Sequence, residues 1–227
     1  MSGGRGIGHA RRERLGAARL YLVMEGAPPG RDAEQVLRAA LAGGVDIVQL
    51  RDKAADDDAL LRSASLFRAV CAEHDALFWV NDRPDLVAAA GADGVHVGQH
   101  DAPVEEVRAA VGPDVLIGVS THSEAQLEAA LATDVDELSV GPVYETPTKA
   151  GRPATGLSLI EHAARHARGR AWFAIGGIDP GNVRQVVAAG AERLIVVRAI
   201  RDADDPRAGA AALRTALEEG GPLGAAP

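Results

Sequence analysis

Two aspartates, Asp82 and Asp101, each stand just past the end of a short apolar run within the stretch from Trp79 to Asp101. The run 77–80 ends in Asn81-Asp82, an Ala-rich segment follows, Gly91 stops it, and a second run, 94–97, ends near Gln99 and Asp101. That order reads as strand, helix, strand. Strands joined by a helix lie parallel and usually adjacent, so the two carboxylates can share one ion. The plainer reading makes each aspartate the N-cap of the helix after it, a position Asp favours. A cationic cluster elsewhere tips the balance. After an earlier apolar run come Gln49, Arg51 and Lys53 at alternate positions. Extended chain puts such residues on one face and turns Leu50 and Asp52 away. An amide and two cations suit a di- or triphosphate, although an Arg-Asp-Lys loop can also neutralise itself in solvent. Mg2+ is usually held by one or two carboxylates together with phosphate oxygens and water, so a shared Mg2+ on Asp82 and Asp101 is the expected reading.

Further polar groups follow other apolar runs. Ser120 closes Gly118-Val119-Ser120 and is placed to donate to a substrate, while Ser123 before Glu124 reads as a helix start. The loop from Gly141 to Pro153 carries Thr146, Thr148 and Lys149, an anion-contact set within four residues. Loops of this length in compact domains are often lids. Gly176-Gly177 lets backbone N–H groups approach a phosphate, and Asp179-Pro180 is expected to open the next helix. Val197-Arg198 follows the last run. His96, on a strand, reads as a core or supporting residue, and no Ser/His/Asp arrangement for a nucleophile is evident.

These groups must be positioned by the elements between them. Apolar runs near 20–23, 46–50, 77–81, 94–97, 115–119, 136–140, 172–175 and 193–197 alternate with Ala-rich helical patterns, and a last helix lies near 207–219. The runs read as continuously apolar, as expected for parallel strands covered on both faces. A short repeat precedes every second run: Gly44-Val45-Asp46, Gly91-Ala92-Asp93, Asp134-Val135-Asp136 and Gly190-Ala191-Glu192. Eight strand–helix units predict a single-domain α/β fold, a (β/α)8 TIM barrel, over residues 16–219. A doubly wound open sheet is the competitor, but no Gly-x-Gly-x-x-Gly follows the first strand. Residues 1–15 read as a flexible basic arm and 220–227 as a disordered tail.

The totals fit this. Of 227 residues, 47% are apolar and 25% charged, ordinary for a globular chain with a sizeable core. Aromatics are only 3%, which predicts a core of Val, Ile, Leu and Ala. The net charge of −8 argues against nucleic acid, and no apolar run approaches the roughly 18 residues that span a bilayer. A lone Cys71 and no Cys/His metal spacing point to a reduced, cytoplasmic protein without a membrane partner. Homo-oligomerisation is left open.

Taken in order, Val48–Lys53 (VQLRDK), Val80–Asp82 (VND), Gly94–Asp101 (GVHVGQHD), Gly118–Ser120 (GVS), Gly141–Lys149 (GPVYETPTK) and Ala174–Ile178 (AIGGI) resemble the thiamine-phosphate synthase family, and the likeness runs from about residue 18 to 206. The resemblance implies an enzyme, a transferase of thiamine biosynthesis. It would join 4-amino-2-methyl-5-(diphosphooxymethyl)pyrimidine to 4-methyl-5-(2-phosphooxyethyl)thiazole, or its carboxylated form, and release pyrophosphate. It also implies roles. Gln49, Arg51, Lys53, Asn81, Ser120 and Lys149 would hold the pyrimidine diphosphate, with Arg51, Lys53, Ser120 and Lys149 as the catalytic set. Asp82 and Asp101 would hold Mg2+. Thr146, Thr148 and Gly177 would hold the thiazole phosphate, with help from Val197 and Arg198. Arg198 departs from the family, which usually has Ser there. The implied mechanism is early loss of diphosphate to a pyrimidine-stabilised cation, shielded from water by the loop around Thr146 and Lys149. The competing readings are a thiazole tautomerase-like or non-catalytic relative, a phosphate-binding barrel without chemistry, and another sugar-phosphate barrel enzyme.

Overall fold

The computed structural model describes residues 6–146, 151 and 153–220. Among these, eight parallel strands close into one barrel in chain order: β1 (Leu20–Met24), β2 (Ile47–Leu50), β3 (Leu77–Asn81), β4 (Gly94–Val97), β5 (Leu116–Thr121), β6 (Glu137–Val140), β7 (Ala171–Ile175) and β8 (Leu194–Val196). The ring is completed by β1 against β8, with Tyr21 opposite Ile195. The (β/α)8 expectation is met, and each strand falls where its apolar run lay.

Several of the helices that separate the strands start where their sequences offer caps. Asp32 accepts from Gln35 N at 2.8 Å to open α2 (Ala33–Ala42), and Asp56 accepts from Ala59 N at 2.8 Å to open α3 (Asp57–Glu73). A cap of this kind is worth about 1 kcal/mol. A 3₁₀ turn (Pro84–Leu86) and the short α4 (Val87–Ala90) follow β3, and Gly91 ends α4 in the left-handed conformation, φ 63°. Next come α5 (Val104–Val111) and α6 (Glu124–Leu131), the latter capped by Ser123 as its sequence predicts. The series continues with α7 (Gly156–His166), α8 (Val183–Ala188) and α9 (Arg198–Arg201), and closes with α10 (Pro206–Glu219). Helix α8 is headed by Asn182 rather than by Asp179. The Asp179 carboxylate is engaged earlier, accepting from Gly181 N at 2.8 Å and Asn182 N at 3.1 Å in a local turn.

Strand periodicity divides the core in two. Outward residues such as Leu22, Val48, Val80, Val95 and Ile117 pack under the helices as an aliphatic shell. Inward residues Tyr21, Ile47, Leu77, Trp79, Leu116, Phe173 and Ile195 fill the barrel. The expectation of an aliphatic core holds for most of the shell, where Phe67, Phe78 and Trp172 are the buried aromatics, and less well for the interior. Three aromatic rings gather inside, Tyr21 lying 5.9 Å from Trp79 and 5.7 Å from Phe173 between ring centroids. The eight-stranded barrel has room for such rings where neighbours are small. A Cβ on Gly94 would stand 2.6 Å from the Trp79 indole.

The N-terminal arm is corrected by the structure. Residues 7–17 form α1 (Ile7–Ala17), whose Leu15 joins the interior cluster with Ala18 just beyond the helix, closing the N-terminal end of the barrel. Its arginines reach the repeated aspartates: Arg11 Nε lies 2.8 Å from Asp93 Oδ1, and Arg12 Nε 2.8 Å from Asp136 Oδ1. Each of those carboxylates also accepts from the backbone N–H of the second residue of the preceding odd strand, Asp93 from Phe78 N at 3.0 Å and Asp136 from Ile117 N at 2.9 Å. Asp46 accepts from Leu20 N, at the start of β1, at 2.9 Å and pairs with Arg214 at 2.7 Å. Before β8 an arginine takes the place, Arg193 donating to the carbonyls of Ala18 and Gly16 at 3.1 and 2.9 Å. The sequence repeat is thus a repeat of strand-start caps. The expected tail, 221–227, lies outside the described residues.

Candidate active site

At the C-terminal mouth of the barrel, a cavity of about 340 Å³ is lined by Gln49, Arg51, Lys53, Asn81, Asp82, Asp101 and Ser120 together. The alternation read in the β2 segment is observed: Gln49, Arg51 and Lys53 face the cavity while Leu50 is buried in the outer shell. Gln49 is buried, its Nε2 donating to the Tyr21 hydroxyl at 2.6 Å. Asp82 leaves β3 with φ 59°, a left-handed backbone that costs about 1 kcal/mol for a side-chain-bearing residue. Its amide still donates to His96 O at 2.9 Å, so the turn is fixed by the neighbouring strand.

Neither aspartate caps a helix. The turn after Asp82 is headed by Arg83, and α5 is headed by Pro103. Asp101 instead accepts from Gly98 N at 2.7 Å. Burial alone would raise the Asp82 carboxyl, but the Lys53 ammonium 2.9 Å away holds it below the usual carboxylate range. Two carboxylates and one ammonium leave an excess of negative charge facing a cavity with a nearby guanidinium, Arg51. Oxygen donors of this kind suit a hard divalent cation. Among the described residues no group of three or more His, Cys, Asp and Glu forms a metal cage, so a cation held here takes further ligands from a substrate or water.

The cavity floor contains His96, read from the sequence as a core or supporting residue, and Glu137, which the sequence reading passed over. His96 projects inward from β4, its Nδ1 2.8 Å from Glu137 Oε2 and its Nε2 3.0 Å from Ser120 Oγ. Glu137 is fully buried, and burial pushes its carboxyl up more than His96 draws it down. The signal was present in β6, Glu-Leu-Ser-Val. That strand alternates rather than running continuously apolar, and Glu137 and Ser139 sit on its inward face. Gln99, too, reaches the site, donating to Ser120 O at 2.6 Å.

A second cavity, about 320 Å³, opens beside the first. Thr146, Gly177, Val197 and Arg198 line it, and His122, Ile175, Ile195 and Val197 line both. Gly177 has φ 66°, and a Cβ there would come 2.7 Å from Tyr144 Cβ. Only glycine lets this turn lie against the loop after β6. Arg198 is exposed at the start of α9, while the adjacent Asp202 is taken by Arg201 at 2.6 Å. Thr148 and Lys149 lie outside the described residues.

The chain is similar to known proteins of one family. A family profile described as thiamine monophosphate synthase matches residues 20–200. The thiamine-phosphate synthase of Streptomyces avermitilis is 50% identical over 200 residues, covering 88% of this chain and 93% of that protein. The one from Thermobifida fusca is 50% identical over 208 residues, covering 91% and 95%. The structure of thiamine phosphate pyrophosphorylase from Pyrococcus furiosus superposes with a TM-score of 0.82 at 30% identity, covering 94% of this chain and 99% of that one. On these grounds the chain belongs to the thiamine monophosphate synthase family.

Proposed function

We propose that the protein is a transferase that joins 4-amino-2-methyl-5-(diphosphooxymethyl)pyrimidine to 4-methyl-5-(2-phosphooxyethyl)thiazole, or its carboxylated form, giving thiamine phosphate and pyrophosphate. One observation carries this reading: two cavities share a wall of Ile175, Ile195, Val197 and His122, one with Arg51, Lys53 and a carboxylate pair, the other with Thr146, a glycine turn and Arg198. That is room for two phosphorylated partners meeting at one point.

The pyrimidine diphosphate takes the first cavity. Gln49, Asn81 and Ser120 hold the ring, and Arg51, Lys53 and Lys149 stabilise the charge that gathers on the departing diphosphate. Asp82 and Asp101 would hold Mg2+, which when bound supplies Lewis-acid neutralisation of phosphate oxygens. The thiazole phosphate takes the second cavity, held by Thr146, Thr148, Gly177, Val197 and Arg198. Its ring nitrogen attacks with its own lone pair, so no residue has to remove a proton first. Ile175, Ile195 and Val197 surround the junction with apolar surface and keep water from the electrophilic carbon.

No helix of the described residues is long and apolar enough to cross a membrane, and we place the reaction in the cytoplasm. The test is an endpoint assay of thiamine phosphate and pyrophosphate with both substrates, with and without Mg2+. Product requiring both substrates and the metal supports the reading. Thiazole phosphate binding without turnover would instead favour a non-catalytic relative on the same barrel.

A further inference from the structure

The buried pair below the first cavity has no part in the mechanism above, yet the barrel interior is shaped around it. A Cβ on Gly118 would stand 2.7 Å from His96 Nδ1 and closer still to Glu137 Oε2, so β5 gives up a side chain to admit the pair. Glu137 Oε1 has no hydrogen-bond partner among the described residues, while Oε2 meets His96 Nδ1 at 2.8 Å. Apart from His96, no cationic side chain pairs with Glu137 among the described residues. The Tyr21 hydroxyl on β1 is engaged by Gln49, β3 contributes the Trp79 indole, and β6 adds only the Ser139 hydroxyl.

A lone buried carboxylate is costly, whereas a pair that holds one proton between Oε2 and Nδ1 is neutral as a whole. In that state Nε2 carries a hydrogen, which points at Ser120 Oγ 3.0 Å away. Ser120 Oγ then accepts from below, and its own O–H is turned to the cavity. From this we infer that Glu137 and His96 are positioning residues that share one proton and fix Ser120 as a hydrogen-bond donor to a ring nitrogen of the substrate pyrimidine. The inference rests on the first cavity being the pyrimidine pocket. It makes the floor selective: a 4-aminopyrimidine offers an unprotonated ring nitrogen beside its amine, while the 4-oxo analogue carries N–H there and meets a donor. Gln49 supports the same preference: its Nε2 gives one hydrogen to Tyr21, and its oxygen is available to accept from the exocyclic amine.

The proton arrangement is measured directly by 15N NMR of the histidine-labelled protein. The His96 signals are assigned by their loss in His96→Gln or, should that variant not fold, by proximity to Gly118. A hydrogen on Nε2 is the expected result; a bare Nε2 with the hydrogen on Nδ1 alone overturns the inference.

The action through Ser120 is tested by a double-mutant cycle. Ser120→Ala and His96→Phe should each lower kcat/KM for the pyrimidine diphosphate by about tenfold, the loss of one hydrogen bond. The double variant should lose no more than either alone, and KM for the thiazole phosphate should not move. Multiplying losses overturn the inference. Glu137→Gln, whose amide can donate to Nδ1, should recover most of what Glu137→Ala loses; equal losses count against a shared proton. A wild type that makes no thiamine phosphate would remove the pyrimidine half of the inference along with the proposed reaction. A bare Nε2 in an active enzyme removes the inference alone.

Discussion

Lys53 Nζ lies 2.9 Å from Asp82 Oδ2, joining the loop after β2 to the end of β3 across the mouth of the barrel. The contact ties a proposed phosphate-binding cation to a proposed metal-binding carboxylate, so each reports on the other.

Asp82→Asn removes one of two proposed anionic ligands. Turnover should fall by about 10–100-fold, and the Mg2+ needed for half-maximal rate should rise. A magnesium titration at saturating substrates reads both. Unchanged turnover with an unchanged metal requirement would mean that Asp82 holds no metal.

Arg198→Ala should raise KM for the thiazole phosphate by about 10–100-fold, the range of a charge-assisted hydrogen bond, and leave KM for the pyrimidine diphosphate alone. Arg51→Ala should show the reverse. Steady-state kinetics with each substrate varied in turn separates the cavities, and equal effects on both constants would count against two subsites.

Gly118→Ala introduces a methyl group against Glu137 and His96 where the interior has no slack. A loss of about 1–3 kcal/mol is expected from overpacking. It should appear as a lower urea midpoint with an unchanged slope. A midpoint equal to wild type would show that the pair can move aside.

The Glu137 carboxyl is raised in the folded protein, chiefly by burial. The folded state therefore binds this proton more tightly than the unfolded state. The stability it contributes is full below the ordinary value of 4.5 and is lost as pH climbs through the raised one. Glu137→Gln has no such titration, so its Tm relative to wild type should increase between about pH 5 and about pH 8. A constant difference would contradict the raised value.

Cys71 is buried on α3, and burial pushes its thiol up to about 12. Since the thiolate is the reacting form, the native protein should resist a thiol reagent at about pH 8 and react only after denaturation. Rapid labelling of the native enzyme would show that α3 opens.

The barrel was legible because each strand is a compact apolar run, and eight such runs alternating with helical patterns leave few topologies. Gln49, Arg51 and Lys53 were legible because strand period alone puts them on one face. Glu137 was missed because β6 was read as continuous, although its Glu-Leu-Ser-Val alternation marked two polar residues for the interior. Helix α1 was taken for a loose arm because its own sequence lacks a strong apolar face. Its arginines find their partners 82 and 124 residues downstream, a distance no local pattern reports. Asp179 was assigned to a helix start that falls at Asn182, because an Asx turn uses the same residue types as a cap.

Those distant partners impose an order of events on the chain. Arg11 and Arg12 are synthesised ahead of all eight strands, but the carboxylates they bind stand before β4 and β6. The base of the barrel, with Leu15 in its floor, cannot be sealed until most of the ring exists. Contacts of such sequence separation are slow to form. The helix synthesised ahead of the strands is therefore among the last to settle, and it closes a barrel whose proposed working end lies on the opposite face.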